Sequence, residues 1–174
     1  VSTNADGCLV IDAPMLCDSP IVTNDMAEIR ATSPSEGQNT LAFRIIGRRD
    51  NVINSGGVKI QMEELERLMR PFLTMPYMVT KRKNEKFGEI VVLMVEKEDD
   101  DEGATFEEKS ELPILRAIHK LLHRALPPYW EPRLYLSVDR IPMTETGKPN
   151  RALAQRMAEN PDLPCSRVFA LDGE

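Results

Sequence analysis

The sequence predicts an α+β fold: a β-hairpin and a small mixed sheet flanked by helices, preceded by a few further β-strands. Three observations lead there. Asn54-Ser55-Gly56-Gly57 lies between two short apolar segments, the pattern of a hairpin with a tight glycine turn. Ile90-Val91-Val92-Leu93-Met94-Val95 is a continuous apolar run, which suits a central strand covered on both faces. Leu112, Leu115, Ile118, Leu122 and Leu126 recur at helical spacing.

In chain order, Cys8 to Ile11 is the first strand, opened by Asp6-Gly7. Ile21-Val22-Thr23 follows the breaks at Pro14 and Pro20, Asn24-Asp25 reads as a turn, and Met26 to Ile29 resumes as a strand. Ala31 to Asn39 is a polar loop, and Leu41 to Ile46 a strand partner. These opening strands have too little apolar surface to bury a core of their own. Gly47-Arg48-Arg49-Asp50 is a polar break, and the hairpin strands Asn51-Val52-Ile53 and Val58-Lys59-Ile60 come next. Met62 to Arg70 is a short helix with Glu63 and Glu64 in its first turn, Arg67 and Arg70 in its last, and Pro71 as its stop. Met78 to Arg82 and Glu89 to Glu96 are strands joined through Asn84–Gly88. Glu96 to Glu102 is a charged loop, and a long helix spans 107–126, with Pro113 suited to its first turn and Pro127-Pro128 ending it. Leu134 to Val138 is a strand, Thr144 to Pro149 a loop, Arg151 to Ala158 a helix, and Asn160 onward a loose tail. From Asn51 on, this order makes a compact α+β unit.

The composition narrows the class. Of 174 residues, 41% are apolar and 29% charged, the mix of a globular chain. Twenty-two Lys and Arg against twenty-eight Asp and Glu leave a net charge of -6, so the chain has no general attraction for nucleic acid or an anionic membrane face. No apolar run approaches the roughly 18 residues of a membrane helix, and Val1 to Asp6 carry no basic leader. The chain starts at Val1 rather than Met, and is expected to be a piece of something longer. Cys8, Cys17 and Cys165 are odd in number and widely spaced, which argues against a disulfide framework or a zinc site and for a reducing, cytoplasmic setting. His119 and His123 have the spacing of two metal ligands on a helix, but no third ligand accompanies them. The methionines at 62, 69, 75 and 78 are expected to fill the core.

Pro142-Met143-Thr144-Glu145-Thr146-Gly147-Lys148-Pro149-Asn150-Arg151 is the most informative stretch. A phosphate-binding Walker loop is excluded, because Pro142 stands where its first glycine belongs and Pro149 where its Ser or Thr belongs. What remains is a glycine-hinged loop presenting one lysine, whose ammonium can neutralise phosphate or carboxylate charge.

Thr144-x-Thr146-Gly147-Lys148-x-x-Arg151 resembles the last signature of the adenylate-forming enzymes: acyl-CoA synthetases, peptide-synthetase adenylation domains and luciferases. Gly47-Arg48-Arg49-Asp50 is similar to the hinge motif of that superfamily. Ser55-Gly56-Gly57-Val58-Lys59-Ile60 with Glu63-Glu64-Leu65-Glu66 is similar to the glycine hairpin and helix after it. Thr23-Asn24-Asp25 stands where relatives usually have Thr-Gly-Asp, so Asn24 is a departure. The resemblance implies a division into 1–49, the end of a large N-terminal adenylate-binding domain; 50–159, a C-terminal mobile lid domain; and 160–174, a tail. It implies that Asp25 binds the ribose hydroxyls of ATP or AMP, with Arg48 near the same ribose and Asp50 as hinge. Lys148 would meet the substrate carboxylate and the α-phosphate, and Gly56, Gly57 and Lys59 would border the pantetheine channel. It implies ATP, CoA and Mg2+ as cofactors, the Mg2+ held mainly by residues outside this chain, and a small carboxylic acid as substrate. The implied reaction is formation of an acyl-adenylate with release of pyrophosphate, then thioester formation with CoA. The superfamily's Ser/Thr/Gly-rich phosphate loop is not among these residues, so this chain alone is expected to be inactive. The short run from Ala13 to Asp25 and the segment Ser55 to Gln61 look most like the o-succinylbenzoate–CoA ligases of menaquinone synthesis. An adenylation domain of a peptide synthetase would share every motif, and another fatty or aryl acid–CoA ligase is a further alternative. Without the resemblance, Asp25 is a turn residue, Arg48, Asp50 and Lys148 are solvated surface charges, and Gly56-Gly57 is a plain turn. The whole would then be a non-catalytic α+β binding module.

Overall fold

The computed structural model describes residues 1–31, 41–97, 112–160 and 165–166. The chain divides into two compact units, Val1–Val52 with Gln61–Glu64, and Ile53–Ile60 with Leu65–Glu174.

The first unit is a four-stranded antiparallel sheet in the order β1 (Ser2–Thr3), β2 (Cys8–Ile11), β3 (Ile21–Ala31), β4 (Leu41–Arg48). Its buried apolar residues are few: Cys8, Leu9 and Ala27, while Leu41, Phe43 and Ile45 form an exposed row on alternate positions of β4. Among the described residues, Cys8, Leu9 and Ala27 are the only apolar side chains that the four strands bury. Two expectations are corrected. Asn24-Asp25 does not turn the chain: β3 runs unbroken through it, because Asp25 pairs with Arg48 and Met26 with Gly47 across the sheet. A register shift between Met26 and Ala27 takes up the irregularity. For the same reason Gly47-Arg48 is strand rather than break, and the chain leaves β4 only in a 3-10 turn at Arg49–Asn51.

The second unit is built on a mixed sheet. β5 (Val52–Ser55) and β6 (Val58–Gln61) form the glycine hairpin and lead into α1 (Met62–Met69). β7 (Tyr77–Asn84) and β8 (Gly88–Glu96) form a second hairpin, antiparallel from Tyr77↔Val95 to Asn84↔Gly88. α2 (Leu112–Ala125) then returns the chain to β9 (Leu134–Val138), which lies parallel to β8. α3 (Arg151–Glu159) follows the lysine loop. β8 pairs with β5, β7 and β9, so it is the central strand that its apolar run indicates.

Alternation along β8 builds two layers. Ile90, Val92 and Met94 pack with Met78, Leu134, Leu136, Val138 and, from α3, Ala154 and Ala158. Val91, Leu93 and Val95 point to the other face, where Val79 and Tyr135 flank Leu93. There His119 of α2 meets the Tyr135 hydroxyl at 3.1 Å. Leu115, Ile118 and Leu122 are the buried stripe of α2, and Pro113 sits in its first turn. Each fully buried Leu, Ile, Val or Met contributes about 1.5–3 kcal/mol. Met62, Met69 and Met78 are buried as expected, whereas Met75 is only half-buried. The tail is also corrected: Cys165–Ser166 forms β10, antiparallel to Leu136 and Tyr135. The loop at 32–39, most of the acidic loop at 96–102 and the helix start at 107–111 lie outside the described residues.

Candidate active site

In the first unit the motif residues gather where β3 and β4 run side by side. Asp25 and Arg48 are direct cross-strand partners. Asp25 is half-buried, and its backbone amide donates to Thr23 Oγ1 at 3.2 Å. Its carboxylate has no hydrogen-bond or ion-pair partner among the described residues, which leaves both oxygens available to a diol. Arg48 turns instead to Asp50, with Nη2 to Oδ2 at 3.7 Å, an exposed pair of little energetic weight. Asn24 Nδ2 donates to the same Asp50 oxygen at 3.2 Å. The departure at position 24 thus ties β3 to the motif aspartate, a contact that a glycine there would lack.

Gly47 has a steric reason for its place. Its φ is +156°, and a Cβ there would run into the Gln61 carboxamide and come within 2.5 Å of Glu63 Oε2. Gln61 Nε2 donates to the Arg48 carbonyl at 2.9 Å and to Glu63 Oε2 at 2.6 Å, and the Asn51 amide donates to Glu63 Oε1. The glycine opens the slot that this network fills.

In the second unit the lysine loop is a small closed structure. Met143 bridges to Pro149, the Thr144 amide donates to the Lys148 carbonyl at 2.7 Å, and Gly147 N–H donates to the Thr144 carbonyl at 2.9 Å. Gly147 turns the chain at φ +74°. The Lys148 amide donates to Thr144 Oγ1 at 3.0 Å, and that hydroxyl meets Thr146 Oγ1 at 3.0 Å. The two threonines of the motif therefore shape the turn. Asn150 ends the loop, its amide donating to the Pro142 carbonyl at 2.9 Å while its side chain caps α3 through Leu153 N–H at 3.1 Å. Lys148 is exposed and makes no ion pair among the described residues.

Arg151, the last residue of the motif, has a defined partner. Its guanidinium grips Glu66 of α1 with two bonds, Nη1–Oε1 at 2.9 Å and Nη2–Oε2 at 2.8 Å. Nη1 also donates to the Val79 carbonyl at 3.1 Å, and Glu66 Oε1 accepts the Val79 amide at 2.9 Å. Burial and the neighbouring Glu66 carboxylate raise the Tyr77 phenol above its ordinary value, and its hydroxyl donates to the Glu66 carbonyl at 2.8 Å.

At the glycine hairpin, Gly56 and Gly57 have φ of +59° and +85°, the consecutive left-handed pair that a tight two-residue hairpin needs. The Gly56 amide donates to the Phe87 carbonyl at 2.8 Å. A Cβ on Gly57 would meet nothing within 4 Å, so the turn presents bare backbone to solvent. Lys59 is exposed on β6. Lys81 is held to Glu89 at 2.9 Å, and Glu89 in turn accepts the Asn54 amide at 2.8 Å.

Asp25, Arg48 and Asp50 thus come together in one unit, while Lys148 and the Gly56–Lys59 hairpin occupy two separate turns of the other. The motifs named Arg151 and Glu66 without a role, and Asn24 only as a departure. The signal available for Glu66 was a glutamate on the short helix directly after the glycine hairpin. His119 and His123 contact the side chains of Tyr135 and Glu131. Among the described residues no three His, Cys, Asp or Glu gather to hold a metal ion.

No family profile matches the chain. It is 30% identical over 162 residues to the nonribosomal peptide synthetase atnA of Emericella nidulans, covering 85% of this chain and 2% of that protein. It is 32% identical over 107 residues to a D-alanine–D-alanyl carrier protein ligase of Bacillus anthracis, covering 60% of this chain and 20% of the ligase. In three dimensions it matches an acyl-CoA synthetase (AMP-forming)/AMP-acid ligase II-like protein from Dyadobacter fermentans with a TM-score of 0.51 at 22% identity, over 87% of this chain and 39% of that one. ATP-bound MatB from Rhodopseudomonas palustris matches with a TM-score of 0.59 at 20% identity, over 82% of this chain and 25% of MatB. The fold is that of the C-terminal domain of AMP-forming ligases. The sequence relatives are a peptide synthetase and a carrier protein ligase, and the solved structures share the fold. The chain spans a small part of the curated ligases it matches. Within this ligase fold no helix among the described residues is long and apolar enough to cross a membrane.

Proposed function

We propose that this chain serves an ATP-dependent acid ligase, in which a carboxylate attacks the α-phosphorus of ATP, pyrophosphate leaves, and the resulting acyl-adenylate passes its acyl group to a thiol with release of AMP. The observation that carries this reading is the lysine loop: a hydrogen-bonded turn that holds one uncommitted ammonium outward. Two anionic reactants repel each other, and a cation placed between them in the first step offsets that repulsion and stabilises charge developing in the transition state. Residues 1–49 would close an adenylate-binding domain, with Asp25 accepting the ribose hydroxyls and Arg48 beside them. Residues 50–159 would form the lid, turning at Asp50 so that Lys148 withdraws and the bare Gly56-Gly57 turn lets a thin thiol-bearing chain pass close to the backbone. The reaction as a whole needs residues outside this chain, and a cytoplasmic setting suits it.

The acceptor divides two readings. CoA as acceptor, with o-succinylbenzoate as the acid and menaquinone synthesis as the setting, is supported by the compact run before Asp25 and by the Ser55–Gln61 hairpin. A carrier-bound thiol is supported by the sequence relatives, whose names are peptide synthetases and a carrier protein ligase. Supplying the ligase with its acyl-adenylate and either CoA or a phosphopantetheinylated carrier separates them.

The activity itself is tested with Lys148→Ala in the ligase that carries this chain. Pyrophosphate exchange should fall on the order of 10²-fold or more, while thioester formation from supplied acyl-adenylate persists. Because Lys148 is exposed, folding stability should change by less than about 0.5 kcal/mol. Equal loss in both half-reactions, or no loss in either, would refute the role.

A further inference from the structure

We propose that Glu66 and Arg151 act as a clamp that sets the stance of the lysine loop, making them positioning residues for the Lys148-dependent step; this rests on the reading of Lys148 given above. The two residues are 85 positions apart in sequence, and their side chains remain only 21% and 19% exposed. The clamp joins three elements at one point. The guanidinium leaves the first residue of α3, the carboxylate leaves the middle of α1, and both hydrogen-bond the backbone of Val79 in β7. A two-bond fork to a carboxylate fixes orientation as well as distance, which a single-point ammonium cannot do.

The location gives the clamp its consequence. Arg151 stands three residues after Lys148, and the intervening chain is already closed onto Pro142 through the Asn150 amide. Little slack separates the clamp from the ammonium. The glycine hairpin is held differently: β5 pairs with β6 and, at Ser55↔Gly88, with β8, and the Gly56 amide donates to the Phe87 carbonyl. Releasing the clamp therefore loosens the lysine loop and leaves the hairpin in place. With the clamp closed, the two turns keep one spacing however the unit is carried. Misplacement of a reacting group by about 1 Å costs as much as 10²-fold in rate, so a loop held by so short a path to a fixed anchor has a direct bearing on the first half-reaction.

The test has two arms. In the 174-residue chain, amide hydrogen exchange is compared between the unsubstituted protein, Arg151→Lys and Glu66→Gln. Arg151→Lys keeps the charge and loses the fork, and Glu66→Gln keeps the shape and weakens the pair, so the second serves if the first does not fold. Exchange at Lys148 and Asn150 should speed up about tenfold or more while Val92, Leu93 and Leu136 stay protected. In the ligase that carries this chain, adenylation kcat should fall about tenfold with KM for ATP within about twofold, and acyl transfer from supplied adenylate should hold. Unchanged loop exchange overturns the proposal, and so does a proportional fall in both half-reactions, the mark of a merely structural role. If the unsubstituted ligase shows no pyrophosphate exchange, the activity reading fails instead, and the exchange arm alone decides whether the clamp holds the loop.

Discussion

Gly47→Ala tests whether the glycine of the Gly-Arg-x-Asp motif is there for the side chains around it. At φ +156° an L-residue is strained, which costs about 1–3 kcal/mol. The added methyl also needs the space of the Gln61 carboxamide. Gln61 ends in a flexible amide and can move aside, but moving breaks its bonds to the Arg48 carbonyl at 2.9 Å and to Glu63 at 2.6 Å. Water replaces part of what is lost at this half-buried edge, so those bonds add about 1 kcal/mol. The expected total is about 2–4 kcal/mol, read as a shift in the urea midpoint by circular dichroism. A double-mutant cycle isolates the side-chain part: in a Gln61→Ala background the amide is already gone, and Gly47→Ala should cost about 1 kcal/mol less. An identical cost in both backgrounds would show that the glycine answers to backbone conformation alone and that the slot is irrelevant.

Leu122 and Leu121 are neighbours on α2 with opposite surroundings, Leu122 fully buried and Leu121 41% exposed. Leu122→Ala should cost about 2–5 kcal/mol and Leu121→Ala under about 0.5, both by urea unfolding; equal costs would contradict the placement of α2. Burial holds the His119 imidazole below its ordinary value of 6.5, with His123 adding to the lowering and Glu131 opposing it. In the window between that depressed value and 6.5 the unfolded chain binds more protons, so His119 makes stability rise with pH there and fall as pH drops through it. His119→Gln should flatten the dependence of the urea midpoint between pH 5 and 7, and an unaltered slope would remove His119 as its source.

What was legible in the sequence was what local pattern governs. The apolar run Ile90–Val95 marked the central strand because a strand covered on both faces leaves no polar positions, and Gly56-Gly57 marked the hairpin because its φ values demand glycine. Where long-range pairing overrides local preference, the reading failed. Asn24-Asp25 has turn chemistry, yet Gly47 and Arg48 recruit the stretch into a strand. The strand at Cys165–Ser166 has no signal of its own and forms because the edge of β9 is there to pair with. Of the candidate site, the motifs named Lys148, Asp25, the glycines, Glu66 and Arg151, but neither segment shows that Glu66 and Arg151 pair across 85 positions.

The parallel alignment of β9 with β8 also constrains how the molecule acquires its shape. The β7–β8 hairpin joins neighbours and closes at small entropic expense. β9 cannot join until the chain has travelled out through α2 and back to lie alongside Val92–Glu96 in the same direction. The centre of the sheet is therefore assembled late on one side, and until that edge is sealed the most apolar strand of the protein stands with half its backbone unpaired, at the mercy of any other strand in solution.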